Sequence, residues 1–181
     1  MKSKNVLLEV PIYDYANGYD ADKNIPAIID RCAQESIKQG FQIVWNPADA
    51  DLAIAPLLQT KITDEQIAKP RLGTLIFHPS LLPRHRGRDA IRWAYNLNEK
   101  YTGATWFWAD SGYDTGDVCE QEVIAIGDKR PRDFYEQDVI PVAVRLLRYV
   151  LIDLKAGIVR RRPQNEASAS YEPPFIKKTS A

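Results

Sequence analysis

An α/β sheet protein is the fold class this sequence predicts, and three observations predict it. Short runs rich in Val, Ile and aromatic residues alternate with longer stretches of helical period. The two segments densest in reactive side chains each begin where one of those short runs ends. A chain of 181 residues with 45% apolar composition has enough material for one substantial core, so one domain is expected.

Val6 to Ile12 reads as the first strand, and a polar, tyrosine-rich loop with Tyr13, Tyr15 and Tyr19 follows it. From Ile25 to Gln39, the residues Ile25, Ile28, Ile29, Cys32, Ala33, Ser36 and Ile37 share one helical face, and Gly40 supplies the stop. Phe41 to Trp45 and Leu52 to Leu57 are the next strands, and Thr63 caps a short helix over Asp64 to Lys69. Thr74 to Phe77 is a short apolar strand that leads straight into His78. Asp89 to Asn98 is helical again, with Ala90, Ile91, Trp93, Ala94 and Leu97 available for burial, and Gly103 is expected to end the connection. Ala104 to Ala109 and Asp117 to Ile126 are strands around a turn dense in Asp, Ser, Gly and Thr. Arg132 to Lys155 has the period of a long helix, with Pro141 as a candidate break and Gly157 as its end. Beyond it, three prolines and few large apolar residues predict an extended, partly mobile tail, so the domain covers 1–160 and the tail 161–181.

Charge excludes more than it suggests. Lys plus Arg and Asp plus Glu both total 24, so there is no net field to gather nucleic acid or anionic lipid. Arg84, Arg86, Arg88 and Arg92, and Arg160 to Arg162, read as solvated loop charges rather than a nucleic-acid surface. The N-terminus lacks the pattern of a signal peptide, and the longest apolar stretch, Val139 to Leu154, is crossed by Arg145, Arg148 and Asp153. No membrane partner and a cytoplasmic location are expected. Cys32 and Cys119 have neither CxxC spacing nor an adjacent His, so they read as buried apolar residues, not as a disulfide or a zinc site.

Two segments can carry chemistry. His78-Pro-Ser-Leu-Leu-Pro-Arg-His-Arg-Gly87 leaves the end of a buried strand, where reactive groups collect in open α/β sheets, and its two prolines stiffen the backbone that holds the imidazole. Trp108-Ala-Asp-Ser-Gly-Tyr-Asp-Thr-Gly-Asp117 brings carboxylates at Asp110, Asp114 and Asp117 to a second strand end. An Asp beside a His fixes its tautomer and makes it a usable proton carrier, while at least one of the three carboxylates is expected only to close the turn. Their spacing does not fit an EF-hand, and no metal site is assigned. GxGxxG, P-loop and GxSxG motifs are absent, which leaves dinucleotide, phosphate-cradle and serine-hydrolase chemistry without support.

HPSLLPRHRG followed by the DTGD of Asp114 to Asp117 resembles the paired signature of the folate-dependent formyltransferase family. GTLIFHPSLLPRHRG, AIRW, FWADSGYDTGD and the tail RRPQNEASASYE are similar, in order and spacing, to the hydrolase domain of 10-formyltetrahydrofolate dehydrogenase. The catalytic domain of methionyl-tRNA formyltransferase is similar as well. The resemblance implies a Rossmann-like, mostly parallel sheet flanked by helices, with 10-formyltetrahydrofolate as formyl donor across the strand ends. It places His78 and Asp114 at the catalytic histidine and aspartate of the family. It places Ile76 where the transferases have an Asn that holds the developing oxyanion, and the loss of such a donor costs about 3 kcal/mol of transition-state stabilisation. The folate ring would lie against Pro56, Leu57, Leu58 and Gln59 on one side and Ala109, Asp110, Ser111, Gly112 and Tyr113 on the other. The expected reaction is hydrolysis of the formyl group or its transfer to a small amine. A folate-binding or partner-binding member without catalysis is the alternative.

The sequence also departs from the family. The part before His78 is short by about one βα unit, and VPIYDYANGYD replaces the glycine-containing loop after the first strand, so a phosphate-bearing acceptor has no evident cradle. Zero net charge and the lack of a tRNA-binding extension argue against tRNA as acceptor. The aromatic residues Tyr13, Tyr15 and Tyr19, with Trp45 nearby, suit a packed lid or a contact between two chains in a homodimer, or else an acceptor pocket.

Overall fold

The chain enters the sheet at β1 (Lys4–Leu8), passes through helix α1 (Ala27–Lys38) to β2 (Phe41–Val44), and returns to β3 (Leu52–Ala55). Helix α2 (Asp64–Ala68) precedes β4 (Thr74–His78), and α3 (Ala90–Asn96) precedes the hairpin of β5 (Tyr101–Trp108) and β6 (Val118–Ala125). Helices α4 (Pro131–Phe134) and α5 (Ile140–Lys155) follow, joined by a π turn over Tyr135–Val139. This is a computed structural model, and it describes residues 4–8, 27–44, 49–58 and 60–175. The predicted strand beyond Leu8, the aromatic loop of Tyr13, Tyr15 and Tyr19, Trp45 and Gln59 lie outside those residues.

The sheet runs in the order β2-β1-β3-β4-β5-β6, with β1 to β4 mutually parallel and β5 and β6 antiparallel. Side-chain parity then divides the sheet. Leu52 and Ile54 of β3, Leu75 and Phe77 of β4, and Trp106 and Trp108 of β5 join the main core with α1 and α5. Ile76 and Phe107, which pair across β4 and β5, belong instead to a small cluster with Leu82 and Val118. The face carrying Thr74, Ile76 and His78 is thus the one that loops, not helices, must cover.

Local signals explain most elements. In α1 the predicted face buries Ile28, Ile29, Cys32 and Ser36, and the Ser36 hydroxyl donates to Cys32 O at 2.8 Å, whereas Ile37 stays 59% exposed. Thr63 and Gln66 form a capping box at the start of α2. Gly40 and Gly157, both at φ 81, end their helices in the left-handed conformation. Cys32 and Cys119 are buried free thiols, and burial pushes Cys119 up to about 12.

Four sequence expectations change. Gly103 does not end a connection but lies inside β5, where a Cβ would come 2.5 Å from Leu81 Cδ2; the bare backbone lets Leu81 lie across the strand. The irregularity of the long helix falls before Pro141, not at it. Pro141 sits in the first turn of α5, where a missing N–H costs nothing, and Ile140 N–H reaches back to Tyr135 O in an i to i−5 bond. Leu97 is 51% exposed at the end of α3. Within the predicted tail, the described residues 160–175 are fastened to the rest of the chain. Arg162 and Val118 exchange two backbone bonds of 2.9 Å, Ser170 N–H donates to Pro83 O at 3.1 Å, and Trp93 stacks edge-on to Phe175 at 5.4 Å. Among the described residues no helix is long and apolar enough to cross a membrane.

Candidate active site

His78 is the last residue of β4 and is 6% exposed. The loop after it folds back over the sheet because its polar groups find partners there. Ser80 Oγ donates to Arg84 O at 2.6 Å, Thr105 Oγ1 donates to Ser80 O at 2.7 Å, and Gln121 Nε2 donates to Leu82 O at 2.9 Å. The loop contains a cis Leu82–Pro83 peptide and then places His85 at φ 55, which presents the His85 carbonyl to His78 Nε2 at 2.6 Å. A carbonyl can only accept, so Nε2 carries the hydrogen and Nδ1 is the nitrogen left for chemistry.

Asp114 faces that nitrogen. Its Oδ2 lies 3.7 Å from His78 Nδ1 and accepts the Gly87 N–H at 2.7 Å. The residue is held at φ 55, and Gln164 Nε2 donates to its carbonyl at 2.9 Å. Asp110 does the turn-closing expected of one carboxylate, accepting from Gly112 N–H at 3.0 Å and from Thr115 Oγ1 at 2.7 Å. Gly116 has no alternative, since a Cβ there would lie 1.7 Å from Trp108 O. A neutral Nδ1 and a carboxylate are both acceptors, so a facing pair at this separation suits a proton or a water held between them.

Both groups open onto a cleft of about 540 Å³. Pro56, Leu57 and Leu58 line one side of it, Asp110, Gly112 and Tyr113 another, and Ile76 lies in its wall with Phe107. Two expected folate contacts are not in the lining: Ala109 spends its N–H on Thr74 O at 2.8 Å, and Ser111 is exposed. Sequence reasoning missed Lys61, Arg88, Tyr135, Tyr171 and Glu172, all of which line the cleft. Tyr171 and Glu172 stand in the RRPQNEASASYE string that carried the resemblance, and Arg88 adjoins the histidine loop, so a signal existed for them. Tyr135 is brought in by the π turn, which periodicity does not reveal, and burial raises its phenol well above the usual value, so it stays protonated. For Lys61, seated 4.8 Å over the Tyr113 ring, there was no signal. Among the described residues no three His, Cys, Asp or Glu side chains gather as a metal site.

A formyl transferase domain model matches residues 20–150. The chain belongs to the formyl transferase family. It is 39% identical over 124 residues to cytosolic 10-formyltetrahydrofolate dehydrogenase of Mus musculus, a match covering 68% of this chain and 14% of that protein. It is 33% identical over 127 residues to methionyl-tRNA formyltransferase of Ruminiclostridium cellulolyticum, covering 70% of this chain and 41% of that one. The chain therefore spans only a small part of the dehydrogenase and less than half of the tRNA enzyme. In fold, this formyl transferase chain superposes on HypX from Aquifex aeolicus with a TM-score of 0.80 and 23% identity, covering 97% of this chain and 31% of that one. It also superposes on the formyltransferase PseJ from Anoxybacillus kamchatkensis, crystallised with a UDP-formamido sugar and tetrahydrofolate. There the TM-score is 0.70 and the identity 19%, over 94% of this chain and 85% of that one. These likenesses establish the Rossmann-like formyltransferase sheet, mostly parallel and flanked by helices.

Proposed function

We propose that this formyl transferase family chain removes the formyl group of 10-formyltetrahydrofolate, passing it to water in preference to a small amine. The observation that carries the reading is the approach of His78 Nδ1 to Asp114 Oδ2, 3.7 Å apart on one cleft. Tetrahydrofolate in complexes with HypX from Aquifex aeolicus and with PseJ supports folate as the donor. The apolar walls of Pro56, Leu57 and Leu58 suit a pteridine ring, and Lys61 and Arg88 offer positive charge to its glutamate carboxylates.

The proposed division of labour follows from the two side chains. Asp114, its Oδ2 already accepting Gly87 N–H, keeps acceptor capacity for a proton of the attacking water. His78, with Nε2–H committed to the His85 carbonyl, works only through Nδ1: the water oxygen bonds to the formyl carbon, its proton passes to the pair, and as the carbon–nitrogen bond breaks Nδ1 returns a proton to the leaving folate nitrogen, releasing formate and tetrahydrofolate. The formyl oxygen, as it gains charge, then takes its hydrogen bond from protonated Nδ1 or from backbone. Ile76 offers no donor there, and this favours water, the smaller nucleophile, over efficient transfer. The same observation favours a second reading, in which the chain binds folate without turning it over.

Incubation with 10-formyltetrahydrofolate, following tetrahydrofolate and formate, separates the two. Turnover that falls by about a hundredfold or more in His78→Ala and Asp114→Ala is expected from the loss of a general acid or base. Tight folate binding with no turnover, with or without amines, would replace the first reading by the second.

A further inference from the structure

Gln164 makes contacts that a solvated tail residue has no need of. Its Nε2 donates to the carbonyl oxygens of Asp114 at 2.9 Å and of Gly116 at 2.7 Å. Its Oε1 accepts from Nε and Nη2 of Arg86 at 3.1 and 2.8 Å. Carbonyls only accept and guanidinium groups only donate, so a single orientation of the amide satisfies all four bonds. Arg86, whose side chain is 7% exposed, also forks onto Glu166 at 2.6 and 2.9 Å. The bond to Glu166 first, and then the negative charges of Glu166, Asp114 and Asp110, hold its guanidinium charged.

These bonds meet at a place where the backbone needs help. Asp114 stands at φ 55, a left-handed conformation uncommon outside glycine, and its neighbours hold it there. Its carbonyl is held by Gln164 and its carboxylate by Gly87 N–H. A few residues on, the same segment reaches the other half of the pair. Ser170 Oγ accepts His85 N–H at 2.8 Å, Ser170 O accepts Arg86 N–H at 3.0 Å, and it is the His85 carbonyl that engages His78 Nε2. Gln164 itself does not line the cleft, so any effect it has on chemistry passes through Asp114.

We propose that Gln164 is a positioning residue, fixing the Asp114 turn so that the carboxylate meets His78 Nδ1, and that the segment from Gln164 to Ser170 is the strap that frames both reacting groups. The inference rests on the catalytic reading of His78 and Asp114, and its test therefore includes a readout that needs no turnover.

The decisive variant in the full chain is Gln164→Glu, which keeps the length and the acceptor for Arg86 but has no hydrogens for the two carbonyls. Its kcat should fall about ten- to a hundredfold, as small misplacements of reacting groups do, with KM for 10-formyltetrahydrofolate and thermal midpoint little changed. The Gly87 amide, whose acceptor is Asp114 Oδ2, should exchange with solvent faster, while amides of β3 and β5 keep their protection. Arg132→Ala, which removes only an exposed contact to Glu136 away from the cleft, should leave both readouts at wild type. Wild-type kcat together with wild-type Gly87 protection in folded Gln164→Glu would overturn the proposal. So would a chain that fails to fold, or a kcat that falls only in step with the melting temperature, because either assigns Gln164 to stability alone. If the wild-type chain shows no turnover, the proposed function fails, and Gly87 exchange alone decides the role of Gln164.

Discussion

At His78 one hydrogen bond decides which nitrogen can react. Because Nε2 is spent on the His85 carbonyl at 2.6 Å, the chemistry of the ring is confined to the side that Asp114 faces. Ile76, two residues earlier and on the same face of β4, contacts Leu82, Phe107 and Val118, so that wall of the cleft is hydrocarbon. Ile76→Asn would place an amide donor in the cleft, and its expected effect is two-sided. Burying a polar group among those neighbours should cost about 1–3 kcal/mol of stability. Formyl transfer to amine acceptors should rise by up to about a hundredfold as a donor reaches the developing oxyanion. Denaturant melts and acceptor-dependent rates, measured on the same preparation, check both signs. An unchanged amine rate in a folded variant would show that Ile76 does not govern acceptor choice.

Between elements, a partly buried ion pair joins α1 to α5. Glu35, 6% exposed, accepts from Arg148 Nε at 2.8 Å and Nη2 at 3.1 Å, and the Arg148 hydrogen bond, opposed by burial, holds its carboxyl below the usual value. A folded value below the unfolded one means that the pair stabilises the fold fully above the unfolded carboxylate value of about 4.3 and loses that contribution as pH falls through the folded value. Glu35→Gln should therefore lose about 1 kcal/mol at neutral pH, because solvent at the exposed Arg148 screens the pair, with the gap to wild type closing in acid. Urea melts at a series of pH values read this directly; a gap that widens below pH 4 would reverse the sign assigned here. The Arg86–Glu166 contact of the strap has the same sign, since Arg86 lowers Glu166 too. Much of this level is readable in the sequence, down to the Thr63 cap and the helix stops at Gly40 and Gly157. The π turn is not, because i to i−5 bonding over Tyr135–Val139 leaves no mark on the 3.6-residue period of apolar residues.

Across the whole molecule the two faces of the sheet have different tasks. The face with Leu75, Trp106 and Trp108 meets α1 and α5 and forms the main core, and the face with His78 and Ile76 meets loops and the tail. Leu147, 0% exposed on α5, belongs wholly to the first. Leu147→Ala should cost about 2–5 kcal/mol by opening a cavity while the rate per folded molecule stays near wild type, as stability curves and active-fraction-corrected rates would show. A specific-activity loss beyond the unfolded fraction would mean that the two faces are coupled.

The order of strands and helices, the strand-end position of His78, the turn around Asp114 and the family itself were legible in the residues, because periodicity and short motifs are local properties of a chain. The folding decided the rest: which face of β4 is roofed by loops, how far His78 stands from Asp114, and that residues 164–170 are tied to the loops of both through Gln164 and Ser170. Those features depend on groups tens of residues apart satisfying one another's hydrogen bonds, and no single stretch of sequence contains both partners.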